Sequence, residues 1–333
     1  MFAWRVSPPG FASPRWTESV RVSEFRLRHP HGGGPTPLDS RAMSRAVASM
    51  IACCLFGAGP AVAGPPVERV ISLNPSLTEI VVALGATESL VAVDSASQRQ
   101  RAEFATLPSV GGLFDPSLEA VVSLRPDLVL LVPSVEQRDF YDRLVELGVP
   151  TVRFDNLRFE EVLDNIQVLG GLVGREAKAA RRVAAIQAVR GAVEQAVSEK
   201  PRVRCLVVLQ HDPIFVVGGE SFLDEQVRTA GCDNLGRELG AGYPRASLEW
   251  VIAAAPEVIL EASPIVQGKE AQGFWQRLPA IPAVASGRVQ PIDAQVVTMP
   301  GPALDQALRL LARALHGPAI DAEIEVQLRG VGP

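Results

Sequence analysis

One segment of this chain occurs twice, at residues 117–130 and again at residues 247–260. Both copies share a Ser-Leu-Glu start, a valine two residues later, a proline nine residues after the serine and a final leucine. Each copy reads as a capped helix followed by an apolar strand. The repeat therefore predicts two lobes of common architecture. A second echo pairs Glu79, Val81 and Gly85 with equivalents at 225, 227 and 231.

Short apolar strands alternate with helices around both copies, which is typical of parallel sheets covered on both faces. Between the two halves, residues 175–198 continue without a proline and keep apolar side chains every three or four positions. That spacing predicts one long helix. We expect an α/β protein with two Rossmann-like lobes, each with a central parallel sheet, joined by one long rigid helix. A ligand cleft is expected between the lobes. The strands are predicted at residues 67–73, 90–93, 128–132, 150–154, 203–210, 258–261 and 289–292.

The chain of 333 residues is long enough for this arrangement. We divide it into an N-terminal extension with a signal peptide (1–63), an N-lobe (64–157), connecting helices that include the long one (158–200), a C-lobe (201–317) and a C-terminal tail (318–333).

Charge separates the first segment from the rest. Residues 1–63 hold seven arginines and three acids, a net charge of +4, so the remaining chain carries −9 of the total of −5. Nucleic-acid binding requires basic patches. The acidic body therefore argues against a nucleic-acid partner.

A secretory signal peptide is predicted inside the first segment. Met43 and Arg45 precede an apolar run at 46–59, and an Ala-Val-Ala sequence ends at Ala63. This is the layout of an exported leader, and the run is too short to span a membrane. We expect translation from Met43, cleavage after Ala63 and a periplasmic product. The alternative is a lipoprotein anchored at Cys53.

Cys205 and Cys232 are the cysteines left after such processing. An oxidising compartment permits a disulfide, but a buried strand thiol can equally be a small apolar side chain. The sequence leaves this choice open. It contains no Cys-x-x-Cys pair or other zinc spacing.

Several motifs together resemble the helical-backbone family of periplasmic substrate-binding proteins. They are Arg69-Val-Ile-Ser-Leu-Asn-Pro-Ser76, Val110-Gly-Gly112 before Ser117-Leu-Glu119, Arg125-Pro-Asp-Leu-Val129, Val217-Gly-Gly-Glu-Ser-Phe-Leu-Asp-Glu225 and Ser247-Leu-Glu249. That family serves ABC importers of cobalamin, ferric siderophores and haem, and the cobalamin-binding branch is the nearest. The resemblance implies capture of a metal chelate, best a cobalamin or other corrinoid, in a cleft whose long helix permits only small opening. A ferric siderophore or haem is the alternative cargo.

The same resemblance indicates the ligand-binding residues, all of which follow strands of the predicted sheets, where open α/β sheets bind ligands. Phe114 and Tyr243 could cover the flat face of a macrocycle, while Asn74 and Gln295 offer amides to its rim. In the best-known relative, tryptophans stand at the positions of Leu113 and Tyr243, which weakens the cobalamin assignment. The full set is Asn74, Pro75, Leu113, Phe114, His211, Phe215, Tyr243, Gln295 and Met299.

Most of these residues also have a purely structural interpretation. Phe114 and Phe215 could fill the core, and Asn74 could only shape a turn. His211 could be the axial ligand of a haem iron, although a histidine beside Asp212 and Pro213 is more often satisfied locally in a loop. We expect no metal bound directly by the protein.

Two glutamates complete the predicted site. Glu119 and Glu249 each lie in the first turn of the repeated helix, where an acid offsets the helix dipole. Their equivalent positions suggest a second use, and the resemblance implies that they dock onto arginines of the permease dimer.

An enzyme is the main rival class. The chain has no Gly-x-Ser-x-Gly, His-Glu-x-x-His or Walker A pattern. After processing, His211 and His316 are the histidines left for acid–base chemistry. We therefore expect a monomeric binding protein without catalytic cofactors. A binding protein that reports to a sensor instead of a permease is the other alternative.

Overall fold

The computed structural model describes residues 66–133, 138–263 and 273–330. The predicted start at Met43, cleavage after Ala63 and lipid attachment at Cys53 lie outside the described residues, and they stay predictions.

The N-lobe is built around a four-stranded parallel sheet in the order β2-β1-β3-β4. Its central strands β1 and β3 are completely buried, because helices cover both faces. The strands are β1 (Val70–Ser72), β2 (Leu90–Val93), β3 (Leu128–Leu131) and β4 (Thr151–Arg153). The helices are α1 (Pro75–Ala83), α2 (Ser95–Gln100), α3 (Leu118–Ser123) and α4 (Arg138–Glu146), with 3₁₀ turns at Thr87–Ser89 and Ala102–Phe104.

The C-lobe sheet has five strands. Its path is β6-β5-β8-β9, and β7 pairs with the first half of β5. Strand β6 runs antiparallel to β5, so this sheet is mixed and not purely parallel as predicted. The strands are β5 (Val203–His211), β6 (Ile214–Val216), β7 (Cys232–Asn234), β8 (Val258–Glu261) and β9 (Val289–Pro291). The helices are α7 (Phe222–Thr229), α8 (Leu248–Ala254), α9 (Pro282–Ala285), α10 (Ala294–Thr298), α11 (Leu304–His316) and α12 (Ile320–Gly330), with a 3₁₀ turn at Leu235–Leu239.

The two lobes repeat one another in detail. In each lobe an arginine at the start of a central strand donates to a carbonyl at the end of the repeated helix. Arg69 Nη2 binds the Leu124 oxygen at 2.6 Å, and Arg204 Nη2 binds the Ala254 oxygen at 2.7 Å. The backbone N–H of each arginine also donates to an acid that precedes the neighbouring strand of the sheet, at 3.0 Å to Asp127 before β3 and 3.2 Å to Glu257 before β8.

The repeated helices also end alike. Arg125 and Ala255, 130 positions apart, both take the left-handed conformation, with φ of 46° and 47°. The predicted two-lobed α/β fold is confirmed.

Helices α5 (Phe159–Leu172) and α6 (Glu176–Val197) connect the lobes. The buried side of α6 carries Val183, Ile186 and Val193, which belong to one core cluster with residues of both sheets. Near its start, Arg175 donates to the Gly85 carbonyl and to Glu88 of the N-lobe.

About two turns further along α6, Arg182 binds the Pro302 carbonyl and Asp305 of the C-lobe. The long helix is thus attached by arginines to both lobes. Residues 318–333, interpreted as a tail, include α12, whose Lys200–Glu323 ion pair ties it to the end of α6.

A disulfide joins Cys205 of β5 to Cys232 of β7. The two Cα atoms are 5.7 Å apart, within the range that a disulfide bridges. Both residues are fully buried. The sequence alone left the disulfide undecided. It forms because β5 and β7 are adjacent parallel strands, which bring residues 27 positions apart into contact.

No helix in the described ranges is long and apolar enough to cross a membrane.

Candidate functional site

The carboxyl end of β1 places Asn74 and Pro75 at the start of α1. Asn74 caps this helix, and its Oδ1 accepts from the backbone N–H and the hydroxyl of Ser76 at 2.9 and 2.6 Å. Ser76 followed three residues later by Glu79 has the sequence of a capping box, but Ser76 does not cap this helix. Asn74 reaches the helix end first, because Pro75 occupies the first helical position, and Glu79 instead binds Arg101.

A buried hydroxyl network lies beside Asn74 in the N-lobe. Thr78 Oγ1 donates to Ser72 Oγ at 2.8 Å and lies 3.0 Å from Ser97 Oγ. Ser97 in turn donates to the fully buried carboxylate of Asp94, which caps α2. These four side chains link the ends of β1 and β2 to α1 and α2, and they position the segment that carries Asn74 and Pro75.

The corresponding edge of the C-lobe carries His211, the last residue of β5. Its Nε2 lies 2.7 Å from Oε2 of Glu261, the last residue of β8, and both side chains are buried. Trp275 Nε1 donates to the other oxygen of Glu261 at 3.0 Å. The Phe274 ring stacks on His211 with 4.6 Å between ring centroids.

His211 is thus not a loop residue satisfied by its neighbours, as the structural interpretation expected. It ends a strand, and its partner is 50 positions away in sequence. Because Nε2 is hydrogen-bonded to Glu261, metal ligation through this nitrogen would compete with that bond.

Tyr243 lies in a loop that runs along β6 and Gly218. The Val216 N–H donates to the Pro244 carbonyl at 3.1 Å, and the Gly218 N–H donates to the Gly242 carbonyl at 2.8 Å. A Cβ on Gly218 would lie 2.4 Å from the Gly240 oxygen, so only glycine permits this close approach. Burial raises the pKa of the Tyr243 phenol to about 12.

This strand-like pairing brings Phe215 and Tyr243 onto adjacent segments. Phe215 bridges Arg245, two positions from Tyr243, and it is half-buried at the sheet edge. The structure therefore places these two candidate aromatics on neighbouring segments of the C-lobe.

Gln295 and Met299 lie on and just after α10, which follows β9. Gln295 is exposed, and its backbone N–H donates to the capping Asp293. A Cβ on Gly301 would lie 3.5 Å from Met299 Cγ and 3.7 Å from the Ser76 oxygen. The segment after Met299 thus touches the start of α1, where the two lobes meet beside Asn74 and Pro75.

Leu113 and Phe114 lie in the loop before α3. Leu113 is half-buried, whereas Phe114 is 53 % exposed. Phe114 is therefore not a core filler in this structure. An exposed aromatic ring on the N-lobe is available for contact with another molecule.

The two glutamates occupy matching exposed positions. Ser117 Oγ accepts from the Ala120 N–H at 3.2 Å, and Ser247 Oγ accepts from the Trp250 N–H at 3.1 Å. Glu119 and Glu249 follow these caps by two residues and both are exposed. The pKa of the Glu249 carboxyl lies below its ordinary value, because the backbone N–H of Glu249 and the Ser247 hydroxyl donate hydrogen bonds to it. The group is therefore ionised at neutral pH.

A cavity of about 580 Å³ lies elsewhere in the C-lobe, between β9 and the end of α11, lined in part by Arg288, Ile292 and Arg313. None of the candidate ligand residues lines it, and it is formed by one lobe alone. Within the described ranges, no cluster of three or more His, Cys, Asp or Glu side chains could hold a metal ion.

Three residues of the C-lobe edge were missed in the sequence. Glu261 ends a predicted strand and could have been noticed as an acid at a strand terminus. Phe274 and Trp275 gave no signal of their own, because their role depends on contacts with His211 and Glu261 made in the folded chain.

Two similar lobes bridged by a long helix, with candidate ligand side chains at the carboxyl ends of the strands, define a substrate-binding protein of the two-lobed α/β class. Residues 70–296 match the periplasmic binding protein family, and the chain belongs to that family.

Known relatives agree with this assignment. The chain is 27 % identical over 248 residues, 74 % of its own length and 89 % of the relative's, to the vitamin B12-binding protein of Vibrio parahaemolyticus. The structure of the periplasmic vitamin B12 binding protein BtuF of Vibrio cholerae matches with a TM-score of 0.66 and 22 % identity, covering 79 % of this chain and 98 % of that one.

The periplasmic heme-binding protein RhuT from Roseiflexus sp. RS-1 matches with a TM-score of 0.64 and 26 % identity, covering 77 % of this chain and 99 % of that one. Similar chains thus include binding proteins for both vitamin B12 and haem.

Proposed function

We propose that this protein is the extracytoplasmic substrate-binding component of an ABC importer and that its cargo is a cobalamin or another corrinoid. The observation that carries the proposal is the similarity to the vitamin B12-binding protein of Vibrio parahaemolyticus, which spans 89 % of that relative. The buried disulfide supports export, because disulfides form and persist in oxidising compartments.

The cargo would lie between the lobes at the strand ends. The exposed ring of Phe114 and the aromatic pair Phe215 and Tyr243 offer apolar faces from the N-lobe and the C-lobe. Gln295 offers an exposed amide next to Met299. A corrinoid presents a broad, mostly apolar macrocycle with an amide rim, so this mixture of groups suits it.

Titration calorimetry with cyanocobalamin tests the cargo. We expect saturation at one site per chain. Replacing Tyr243 by Ala should weaken binding by about 1 kcal/mol or more because a stacking ring is lost, whereas Tyr141→Ala on α4 is the matched control. Saturation with a ferric siderophore and none with corrinoids would overturn the assignment.

Haem is the second candidate cargo, favoured by the 26 % identity to a heme-binding protein. The visible spectrum of protein purified after incubation with each chelate separates the two, because corrinoid and haem bands differ. Haem bands that persist in a His211→Gln variant would exclude His211 as the axial ligand.

Delivery would use the two exposed glutamates. Converting Glu119 and Glu249 together to Ala should leave cyanocobalamin binding unchanged and abolish uptake, because an interface with basic partner groups would lose both its charges. Normal uptake by this double variant would refute the docking role.

A further inference from the structure

The repeated helices expose an apolar side chain beside each glutamate. Val122 of α3 is 38 % exposed and Ile252 of α8 is 37 % exposed. Each stands three residues after the glutamate of its own helix, and residues three apart share one face of a helix. The residue just before each, Val121 and Val251, is fully buried, so the glutamate and the exposed aliphatic group face away from the core.

A single exposed aliphatic residue is ordinary on a protein surface. That general rule does not explain why both lobes expose an aliphatic residue at the same position beside the glutamate. Val122 and Ile252 are 130 positions apart, the same offset that relates the glutamates, the serine caps and the left-handed residues. At this offset the exposed Phe114 corresponds to a proline and the exposed Val145 corresponds to the buried Trp275. Exposure of an aliphatic group is thus retained in both lobes beside the acids.

The negative charge of each glutamate determines which chemical group the partner must provide. Each patch offers one carboxylate on an exposed helix face, and burying an unpaired carboxylate in an interface is costly. A partner therefore needs a guanidinium or ammonium group for the acid and an apolar socket one helical turn away for the aliphatic side chain. Because the protein presents the pair twice, the partner must present its complement twice.

We propose that each lobe docks through a two-part patch, Glu119 with Val122 and Glu249 with Ile252, and that the partner is a two-fold pair of membrane subunits with a basic group beside an apolar socket in each copy. This inference rests on the proposed importer role and adds the aliphatic half of the contact. The charged half guides encounter and orientation, whereas burial of the aliphatic half supplies salt-independent affinity.

The two halves differ in their response to salt. Exposed charges are screened as ionic strength rises, and the Debye length falls roughly threefold between about 0.05 and 0.5 M salt. Removing the glutamates should therefore flatten the salt dependence of docking. Removing the aliphatic groups should weaken docking equally at low and high salt.

The test uses full-length protein and the importer complex, with its two-subunit permease, isolated from the source organism and placed in lipid nanodiscs without cargo. Docking of the fluorescently labelled protein is titrated at both salt concentrations. The double variant Val122→Ser and Ile252→Ser should bind roughly tenfold more weakly, with an unchanged salt slope. The control variant Val145→Ser and Val326→Ser changes two other exposed valines, 52 % and 66 % exposed, and should dock like the wild type.

Wild-type affinity in the Val122 and Ile252 double variant, or an equal loss in the control variant, would overturn the two-part patch. Calorimetry with cyanocobalamin on the same proteins tests the cargo proposal separately from the docking proposal. Wild-type protein that docks but binds no corrinoid overturns the cargo alone, and wild-type protein that does not dock at all overturns the partner.

Discussion

The Glu225 carboxylate of the C-lobe accepts a hydrogen bond from the Phe159 backbone N–H, with 2.7 Å between Oε2 and the nitrogen. Phe159 is the first residue of α5, the helix by which the chain leaves the N-lobe. The other carboxylate oxygen pairs with Arg158 at 3.4 Å. An acid of one lobe thus caps the connecting helix, whereas its repeat counterpart Glu79 binds Arg101 inside its own lobe.

Replacing Glu225 by Ala should lower the free energy of unfolding by about 1–2 kcal/mol, because the end of α5 loses a capping acceptor. Glu225→Gln keeps an acceptor and should lose less. Urea denaturation followed by circular dichroism measures both. Glu146→Ala on the exposed side of α4 is the control, and equal stability of all three variants would show that the cap contributes nothing.

Gly218→Ala should damage the Tyr243 loop, because the new methyl group would meet the Gly240 oxygen at 2.4 Å. We expect a loss of about 1–3 kcal/mol in stability from overpacking and weaker cyanocobalamin binding by calorimetry. Gly191→Ala in the middle of α6 is the matched control, since nothing lies within 4 Å of the added Cβ.

The control should move in the opposite direction. Alanine at an exposed helical position stabilises by up to about 1 kcal/mol relative to glycine. A Gly218→Ala variant that binds cargo and melts like the wild type would show that the loop does not depend on this glycine.

Removing the disulfide by Cys205→Ala and Cys232→Ala should cost about 3–4 kcal/mol, the loop-closure entropy of a segment of this length. Since both sulfurs are buried, alkylating reagents should label neither cysteine in the oxidised native protein. Mass spectrometry after denaturation, with and without reductant, counts the blocked thiols. Two labelled cysteines without reductant would contradict the bond.

Gln226 is fully buried in α7, and among the residues that the structure describes neither its side-chain oxygen nor its nitrogen has a hydrogen-bond partner. A buried amide without partners costs about 1–3 kcal/mol. Gln226→Met has a similar shape and removes the polar atoms, so it should raise the melting temperature. A lower melting temperature, despite unchanged cargo binding, would indicate that the amide has a partner in solution.

His316 should make stability fall in mild acid. Burial, with the nearby charges of Lys200 and Arg288, holds its pKa below the ordinary 6.5, despite opposing effects of the Ala230 carbonyl and Glu323. Because the unfolded chain binds the proton more readily, this contribution is present above pH 6.5 and is lost as pH falls toward the lower folded pKa. The wild type should therefore lose more melting temperature than His316→Gln between about pH 7.5 and 5.5. Parallel pH profiles would contradict this role.

Much of the fold follows from local patterns. The apolar runs mark β3 and β8 because a buried parallel strand has to be apolar on both faces, and the unbroken spacing of apolar residues marks α6. The cap of α1 was less decidable. Asn74 and Ser76 are both good capping residues, and the position of Pro75 determines which of them ends the helix.

Partners distant in sequence could not be predicted. His211 meets Glu261 because β5 and β8 are adjacent and parallel, and Glu225 meets Phe159 because α7 packs beside α5. Such pairs depend on the assembled lobes, and no local propensity encodes them. The equivalence of Glu119 and Glu249 could be predicted from the sequence, because both occupy the same position of the repeated segment.

Arg69 and Arg204 make matching hydrogen bonds to the ends of the two repeated helices, so the same arrangement can be studied twice in one protein. A substitution made at one of them has a sister substitution in a chemically similar setting 135 positions away, within the same molecule and the same solvent. Comparing the two effects would measure how far surroundings alone alter the strength of one hydrogen-bonding arrangement, free of differences between host proteins.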